Sequence, residues 1–459
     1  MRQPSEDEMY PTYTIGMLGL GTVGCGVVKY LREHYAPSKT GLNIEIGKIL
    51  VRDISKPRKV EVDAPLLTTN PDDILENLNI DVVVEVMGGI EPAGPYILRA
   101  LGNGKHVVTA NKALLAHPSS KYHTGEVDRL ISEGKWPNGF GGNIAFLAAL
   151  TNQRNLGFEA SVCGEIPVID VISAVPSSNA VVALEGIING TSNYILTKMS
   201  EGKSYQGALK EAQDRGFAEA DPSFDVDGLD AAQKLALLST LIFGKLVEVP
   251  EISRESISSV TAEDIRYAKD FGYIIKPIAV AEKHAEGLEL RVCPALISEK
   301  NPLANVNNET NAVSIYFSGR EEPMTLRGKG AGMIPTASSV VADIVRVIKD
   351  SHESRSSIYN LFTCSPENPM EAAEQFLSRF YLKFIVKDEP MVIAGLATSL
   401  GKMGISIESI EQQIRDKKDN LIPVVLLTHS ASEYSVNEAL AEIKKQPYLQ
   451  GFLKLRVRD

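Results

Sequence analysis

The chain has 459 residues, of which 44% are hydrophobic and 23% are charged, and its formal net charge is −11. This length predicts about two to three domains, and the negative charge without a long basic run argues against nucleic acid or anionic membranes as main partners. The four cysteines are far apart and form no CxxC pair, which argues against structural zinc and disulfides and favours the cytoplasm. The polar, acidic N-terminus predicts no signal peptide, and no apolar run approaches the roughly 20 residues that span a bilayer.

The first predicted element is a buried strand, residues 14–18, followed by a glycine-rich turn and a helix. The turn reads Gly19, Leu20, Gly21, Thr22, Val23, Gly24. Strand, turn and helix together form the context of the G-x-G-x-x-G dinucleotide-binding motif. In that motif Gly21 lets the pyrophosphate approach the backbone, and Gly24 lets helix and strand pack closely. We therefore predict a Rossmann-type domain in which these six residues bind the cofactor.

A second strand, residues 44–51, ends at Arg52 and Asp53. An acidic residue at this position suits the ribose 2′-hydroxyl of NAD, whereas an arginine suits the 2′-phosphate of NADP. Because Lys56 adds positive charge nearby, the sequence favours NADP, with NAD as the alternative. A solvated strand end is the competing interpretation.

Two further strands, residues 81–87 and 106–109, precede Lys112. Ligands of open α/β sheets bind beyond the carboxyl ends of the strands, so Lys112 is an active-site candidate. A phosphate or surface contact is its alternative role. The segment 117–157 contains the only tryptophan, and a lid, an oligomer contact and a neutral insertion are all open interpretations of it.

The most informative segment is residues 219–234, where Glu219, Asp225 and Asp230 precede Lys234 and an apolar helix. Asp230 and Lys234 are four residues apart, so on a helix they share one face. A carboxylate and an ammonium at the mouth of an apolar helix can bind a zwitterionic amino acid and move a proton. An ordinary salt bridge at a helix end is the alternative.

The middle of the chain predicts a mixed sheet in a second domain, with strands near residues 181–188, 274–281, 288–294 and 312–317. A polar turn, residues 189–193, offers N–H and hydroxyl groups to a substrate. A short strand and loop, residues 158–167, have carbonyls that can coordinate a cation. A second glycine-rich turn, residues 328–336, precedes a helix and predicts that the chain returns to the cofactor domain.

The C-terminal residues follow a polar linker and have the order β-α-β-β-α-β, which is the ferredoxin-like pattern. Four runs then carry a family resemblance: residues 109–112, 189–193, 219–234 and 328–336. In this order and spacing, over residues 13–457, they resemble homoserine dehydrogenases of the bacterial form with a C-terminal ACT domain. The resemblance implies an α/β fold: a Rossmann-type dinucleotide-binding domain, an α+β substrate and dimerisation domain with a mixed sheet, and a ferredoxin-like ACT domain. The implied boundaries are 12–158 plus 326–350, 159–325, a linker at 351–377, and 378–459.

The implied activity is the reversible, NAD(P)-dependent reduction of L-aspartate 4-semialdehyde to L-homoserine, in threonine, methionine and isoleucine biosynthesis. The implied catalytic residues are Lys234, Asp230 and Lys112. The implied substrate-binding residues are Glu219, Asp225, Asp230, Gly190 and Thr191. Cofactor contacts extend to Lys112, Gly216, Glu219 and Gly332. A Na⁺ or K⁺ ion is implied at the main-chain oxygens of Glu159, Val162, Gly164 and Ile166.

The chain also departs from the family pattern at three positions. Glu165 replaces a usual glycine, Lys329 replaces a usual proline, and Met391 stands where ACT domains have a glycine beside an amino-acid effector. Glu165 and Met391 keep open a catalytically weak sensor on the same fold, and Lys329 could reach a cofactor phosphate. Another ACT-tailed dehydrogenase, such as one acting on 3-phosphoglycerate, is a third alternative, but none of the seven histidines lies in a motif.

The resemblance also predicts the assembly of the protein. An open sheet edge in the tail predicts a homodimer or homotetramer, and threonine is the candidate effector of the tail. Because every catalytic candidate precedes residue 336, we expect deletion of residues 378–459 to leave homoserine oxidation measurable.

Overall fold

The computed structural model describes residues 10–117, 149, 152–174, 181–244, 247–284, 287–352, 376–412 and 420–458. Most of the segment 117–157 and of the linker 351–377 lies outside these residues. The chain divides into two compact units. The first contains residues 1–181, 233–251 and 326–366, and the second contains residues 182–232, 252–325 and 367–459. The predicted C-terminal domain thus belongs to the same unit as the predicted substrate domain.

The first unit is built on a parallel sheet with the strand order β3-β2-β1-β4-β5-β6. Its strands are β1 (Thr12–Leu18), β2 (Asn43–Leu50), β3 (Leu67–Thr68), β4 (Val82–Glu85), β5 (His106–Thr109) and β6 (Leu156–Gly157). This order is that of the dinucleotide-binding Rossmann fold. The four strands predicted up to residue 109 are confirmed within a few residues at their ends. The short strand predicted to begin at residue 158 is instead Leu156–Gly157, and residues Glu159–Ser161 form a 3-10 turn.

The helices of the first unit are α1 (Thr22–Glu33), α2 (Pro37–Thr40), α3 (Asp72–Leu75), α4 (Ala93–Gly102), α5 (Lys112–Leu115), α6 (Val168–Ala174) and α12 (Met333–His352), together with a 3-10 turn at Ala64–Leu66. Apolar residues of α12, among them Val340 and Ile344, share one core with Ile15 and Val84 of the sheet. The predicted return of the chain to the cofactor domain is therefore confirmed.

The second unit contains a mixed sheet in which the described strands run β12-β11-β7-β9-β10-β17-β13-β15-β14. Its strands are β7 (Val181–Ile187), β8 (Ser253–Arg254), β9 (Tyr273–Lys283), β10 (Leu288–Ser298), β11 (Thr310–Phe317), β12 (Met324–Lys329), β13 (Leu377–Lys387), β14 (Ile407–Glu411), β15 (Leu421–Thr428), β16 (Ala431–Ser432) and β17 (Leu449–Arg458). Boundaries between the two units fall near the first residues of β7 and β12 and inside the helix α10 (Leu229–Phe243).

The remaining helices are α7 (Gly190–Ser200), α8 (Tyr205–Asp214), α9 (Ser223–Val226), α11 (Ala262–Asp270), α13 (Val392–Lys402) and α14 (Glu433–Ile443), with 3-10 turns at Val249–Glu251, Ile257–Ser259 and Pro302–Asn305. Helix α7 corrects one prediction, because residues 190–193 form its first turn rather than a free polar loop. Asn189 caps this turn, accepting the N–H of Ser192 through Oδ1. In the part of the chain that is described, no helix has the length and hydropathy needed to cross a membrane.

The tail has the predicted ferredoxin-like arrangement, with β13 and β15 in the middle of its four main strands. Its strand β17 pairs in parallel with β10, from Ala295–Arg456 to Ile297–Arg458. One edge of the tail sheet is therefore already covered within the same chain, and β14 forms the other edge.

Candidate active site

The glycine-rich turn has the backbone geometry that a dinucleotide requires. Gly19 has a φ of +108°, and a Cβ on it would lie 3.0 Å from the backbone of Met87. A Cβ on Gly24 would lie 2.5 Å from the carbonyl oxygen of Gly19. Gly21 is the N-cap of α1, and no described side chain caps this helix end. The first N–H groups of α1 are thus available to a phosphate.

A cavity of about 620 Å³ lies beyond the carboxyl ends of β1, β2 and β4. The predicted cofactor residues on its wall are Gly19, Leu20, Gly21, Thr22, Arg52 and Lys56. Gly24 is buried behind the turn and Val23 packs against the core of the first unit. These two predicted residues therefore support the turn and do not line the cavity.

The end of the cavity beside β2 is positively charged, with Arg52, Lys56, Arg58 and Lys59 on its wall. The one acid beside them, Asp53, is turned back onto its own loop. Its Oδ1 accepts the N–H of Ser55 at 2.8 Å and the hydroxyl of Ser55 at 2.6 Å. These bonds from Ser55 lower the pKa of Asp53.

Arg58 braces the same loop, because its guanidinium donates to the carbonyls of Asp53, at 2.7 Å, and Lys56, at 2.5 Å. The carboxylate that would receive a ribose 2′-hydroxyl is thus engaged in a loop turn, while several cations face the cavity.

Lys112 begins α5 immediately after β5. Its neighbour Asn111 caps the helix, accepting the N–H of Leu114 at 3.1 Å. A buried carboxylate that was missed in the sequence, Glu85, ends the adjacent strand β4. An acidic residue within the apolar run of residues 82–87 was the available signal.

The predicted cation-binding loop contains a tight backbone turn. Cys163 and Gly164 have φ values of +57° and +60°, which places both in the left-handed region. Of the four predicted carbonyls, that of Glu159 accepts the N–H of Val162, that of Gly164 accepts the Ser339 hydroxyl, and that of Ile166 accepts the N–H of Val168. Each carbonyl oxygen retains a second lone pair, so the loop can still offer oxygen ligands.

The carboxylate of Glu159 serves a different purpose from its carbonyl. Its two oxygens accept the N–H groups of Ile169 and Asp170, at 2.9 and 2.8 Å, and so cap α6. Burial raises the pKa of Glu159 to about 8, and these hydrogen bonds oppose that rise.

The second glycine-rich turn is held by the residue that departs from the family pattern beside it. Glu165 accepts the N–H of Lys329 through Oε1 at 2.8 Å and donates its own N–H to the carbonyl of Lys329 at 3.1 Å. A Cβ on Gly164 would lie 2.6 Å from the backbone of Gly330. Gly332 has a φ of +139° and is followed directly by α12. Glu165 therefore fixes this turn through the backbone.

In the second unit, Asn189 joins two of the predicted acidic residues. Its Nδ2 donates to Asp225 Oδ1 and to Asp230 Oδ2, both at 2.8 Å. Because the two carboxylates share one amide, they are held close together. Asn189 itself was missed as a site residue, since its partners are 36 and 41 positions away in sequence.

The other predicted substrate residues lie around the same turn. Thr191 donates its hydroxyl to the carbonyl of Phe217 at 2.8 Å, and a Cβ on Gly190 would lie 2.8 Å from the carbonyl oxygen of Glu309. Gly216 has a φ of +75°. Glu219 is exposed, and its carbonyl accepts a bond from Gln213.

Asp230 and Lys234 lie on α10, as predicted from their spacing. Their exposures are only 6% and 8%. A lysine this deeply buried is uncommon, since charged side chains are expensive to desolvate. The two side chains are the acidic and the basic residue of a helix that has no others.

Two family models match the chain. One, described as homoserine dehydrogenase, covers residues 167–345, and the other, described as homoserine dehydrogenase, NAD binding domain, covers residues 19–124. Curated homoserine dehydrogenases from Bacillus subtilis and Pseudomonas aeruginosa are 38% and 39% identical to the chain. The first match covers 95% of this chain and 96% of the relative, and the second covers 97% and 98%.

Solved structures agree with these relatives. The homoserine dehydrogenase from Thiobacillus denitrificans has a TM-score of 0.86 and 36% identity, over 98% of this chain and 99% of that one. A hyperthermophilic archaeal homoserine dehydrogenase in complex with NADPH has a TM-score of 0.56 and 25% identity, over 74% of this chain and 98% of that one.

Proposed function

Because the chain belongs to the homoserine dehydrogenase family, we propose roles for its active-site residues, a preferred cofactor, a bound cation and an assembly. The chain catalyses the reversible reduction of L-aspartate 4-semialdehyde to L-homoserine with a nicotinamide dinucleotide, a step of amino-acid biosynthesis. When bound, the dinucleotide supplies or accepts the hydride. The protein binds and orients the substrate and moves a proton.

The observation that carries the assignment is the burial of Lys234 four residues after Asp230 on one helix. An ammonium beside the substrate carbonyl stabilises the alkoxide that develops during reduction and gives it a proton. Oxidation of homoserine needs the same lysine without its proton, so the oxidation rate should rise towards alkaline pH.

The experiment is a homoserine-dependent assay of the Lys234→Met variant, which keeps the length of the side chain and removes the amine. We expect kcat to fall about 10²-fold or more, the usual scale for a general acid. Lys210→Met is the control, because this lysine is exposed and pairs with Asp214 on the surface of α8. Turnover of Lys234→Met within a few-fold of the parent protein would refute the assignment.

Asp225 and Asp230 are proposed to bind the substrate ammonium. Asn189 supports this role by holding both carboxylates with one amide. Asn189→Asp would keep the helix cap but place a third carboxylate against the other two. We expect a higher KM for homoserine in this variant, and an unchanged KM would count against the shared site. Glu219, Gly190 and Thr191 complete the proposed substrate contacts.

NADPH is the proposed cofactor of choice. Arg52 and Lys56 face the cavity, and the Asp53 carboxylate is engaged with Ser55. The NADPH complex of the archaeal relative supports the same choice. Arg52→Ala should reduce the preference for NADPH over NADH by about 1–3 kcal/mol, the scale of a charge-assisted hydrogen bond. Lys29→Ala, on the surface of α1, controls for the lost charge, and equal affinities of the parent protein for the two cofactors would refute the preference.

The remaining proposed cofactor contacts are Lys112, Gly216, Glu219 and Gly332. Lys112 has the firmest support among them, because it stands at the carboxyl end of a strand neighbouring the cavity wall. Lys112→Ala should lower kcat and also weaken cofactor binding.

A Na⁺ or K⁺ ion is the proposed occupant of the loop containing Glu159, Val162, Gly164 and Ile166. The support is the left-handed pair of residues at 163 and 164, which curls the main chain. Melting curves in NaCl, KCl and choline chloride at equal ionic strength should differ if the loop binds a cation. Identical curves in the three salts would refute it.

For the assembly we propose a homodimer or homotetramer and a cytoplasmic location. Cys25 and Cys293 are free and buried, which suits a reducing compartment. Threonine is the proposed effector at the tail, which we assign as an ACT domain over residues 378–459, after the linker 351–377. A cavity of about 440 Å³ there is bordered by Asp388, Met391 and Gln412. Threonine titration of the homoserine assay, with light scattering for the mass, tests both proposals.

A further inference from the structure

Glu85 occupies a position where a carboxylate needs an explanation. It is the last residue of β4, its exposure is 0%, and it pairs in register with Thr109, the last residue of β5. Both strands end at the edge of the parallel sheet where ligands of this fold bind. The partners that the structure describes for Glu85 include two backbone N–H groups and one hydroxyl. A buried carboxylate is costly, so its hydrogen bonds must offset the loss of water.

The hydrogen bonds of Glu85 reach two different turns. Oε1 accepts the N–H groups of Met87 at 2.9 Å and Gly88 at 3.0 Å. Oε2 accepts the hydroxyl of Thr109 at 2.6 Å. The Thr109 oxygen in turn accepts the N–H of Asn111 at 3.0 Å. One carboxylate therefore ties the turn after β4 to the turn after β5.

A second bond closes the same pair of turns into a ring. The side chain of Asn111 donates to the carbonyl of Gly89 at 2.6 Å, and its oxygen caps α5. Burial raises the pKa of Glu85, and the bonds from Thr109, Gly88 and Met87 oppose the rise. All of these groups are local to the two strand ends.

The two turns joined in this way carry different parts of the candidate site. Val86 and Met87 lie on the wall of the 620 Å³ cavity. Lys112 follows Asn111 directly and begins α5. Any shift of the Glu85 carboxylate would therefore be transmitted to the cofactor wall through Met87 and to the lysine through Thr109 and Asn111.

We propose that Glu85 is a positioning residue that locks the lysine-bearing turn of residues 109–112 to the cofactor wall at residues 86–88. The Thr109 hydroxyl is the link between the Glu85 carboxylate and the lysine-bearing turn. This inference rests on the role proposed above for Lys112 and adds to it a residue that touches neither substrate nor cofactor.

The experiment separates the hydrogen bond between Glu85 and Thr109 from the bonds that Glu85 accepts from Met87 and Gly88. Thr109→Val removes only the link to the lysine-bearing turn, and Thr109→Ser is the matched control that keeps the hydroxyl. We expect Thr109→Val to lower kcat about 10-fold or more, as misplacement of a catalytic group does. Its dissociation constant for NADPH should rise no more than that of Lys112→Ala, because Met87 and Gly88 keep their acceptor. Thr109→Ser should restore kcat to within about threefold.

Glu85→Gln should raise the dissociation constant for NADPH several-fold and also lower kcat, because its hydrogen bonds to both turns are altered. If this variant does not fold, the Thr109 pair still decides the question. A Thr109→Val enzyme with near-normal kcat, when Lys112→Ala is impaired, would overturn the proposal.

The double variant with Lys112→Ala separates this proposal from the function of the lysine. If Thr109 acts through Lys112, Thr109→Val should cause no further loss of kcat in the Lys112→Ala background, and an equal loss in both backgrounds would overturn the proposal. If Lys112→Ala alone is fully active, the role of the lysine fails. In that case the effect of Glu85→Gln on NADPH binding decides whether Glu85 positions the cofactor wall. An unchanged dissociation constant of this variant for NADPH would overturn that role.

Discussion

Deletion of residues 378–459 removes the tail, with its helices α13 and α14, from the second unit. The sequence led us to expect that a chain lacking residues 378–459 keeps measurable homoserine oxidation. In the structure, apolar side chains of the tail complete the core of the second unit. These side chains are Tyr381, Val425, Leu427, Leu455 and Val457, and they share one cluster with residues of α7, α8 and α11. We now expect the truncated chain not to fold.

The magnitude follows from the number of side chains. All five are at most 5% exposed, and full burial of one such side chain contributes about 1.5–3 kcal/mol. The contact is thus worth about 8–15 kcal/mol as an upper estimate. The net stability of a folded domain is about 5–15 kcal/mol, so loss of the whole contact would remove most of it.

Polar contacts at the same junction point in the same direction. Lys383 lies 2.6 Å from the fully buried Asp264, and Tyr381 donates its hydroxyl to the same carboxylate at 2.9 Å. Arg456 pairs with Glu255 at 2.7 Å. The tail is therefore joined to the rest of the second unit by apolar packing, buried ion pairs and the β10–β17 strand pair.

The assay compares soluble yield, circular dichroism and homoserine oxidation of the full chain and of the chain without residues 378–459. Two point variants provide a matched pair. Leu455→Asp places a charge in the shared core, where the exposure is 1%, whereas Tyr434→Asp changes a tail residue that is 59% exposed. We expect the first to behave like the deletion and the second like the parent protein. A soluble, folded truncation with near-parental turnover would refute the reasoning.

Three further predictions concern single residues. Burial and the nearby Arg154 lower the pKa of His106 to about 4, so the stability it contributes is complete above about pH 6.5 and falls by up to about 3 kcal/mol as the pH drops to 4. Thermal melts against pH should show this loss, and His106→Gln, which keeps an acceptor for the Asn155 N–H, should flatten it; an equally steep profile would count against the assignment. Met391 has a φ of +71° and is 78% exposed. Met391→Gly should therefore raise the free energy of unfolding by about 0.5–1 kcal/mol, while Met391→Ala should leave it unchanged, and equal melting of both would contradict the strain. Glu165→Ala should lower the free energy of unfolding by about 1 kcal/mol through loss of the bond to the Lys329 N–H, and Lys329→Ala, which keeps that N–H, should not.

The sequence predicted the fold well where a local period determines it. The alternation of apolar runs and glycine-rich turns predicted the Rossmann strands, and the tail pattern predicted the ferredoxin-like order, because both signals lie within about 10 residues. The turn at residues 189–193 was assigned as a loop because its residues are polar. Their hydroxyls and amides instead cap and support α7, with Asn189 as the N-cap. Polar residues at a helix start satisfy free N–H groups, which is the physical reason for the difference.

The candidate site was predicted as a set of residue types, but its contacts were not. The spacing of Asp230 and Lys234 follows from the helix period, so their common helix could be predicted. The bridge from Asn189 to Asp225 and the bonds of Glu85 to Thr109 join residues that are 36 and 24 positions apart. No period in the sequence encodes such pairs, because they depend on how distant turns meet after folding.

The two departures from the family pattern near the second glycine-rich turn are understood only as a pair. Considered separately, a carboxylate at position 165 predicts altered electrostatics in the site, and a lysine at position 329 predicts a contact with a cofactor phosphate. In the structure the Glu165 carboxylate accepts the Lys329 N–H, across 164 positions of sequence. A proline has no N–H to donate, so a proline at 329 would leave the carboxylate without this donor. The two substitutions should therefore be coupled in a double-mutant cycle: Lys329→Pro should remove what Glu165→Ala removes, and the double variant should lose little more than either one. Fully additive losses would show that the two residues act independently of this hydrogen bond.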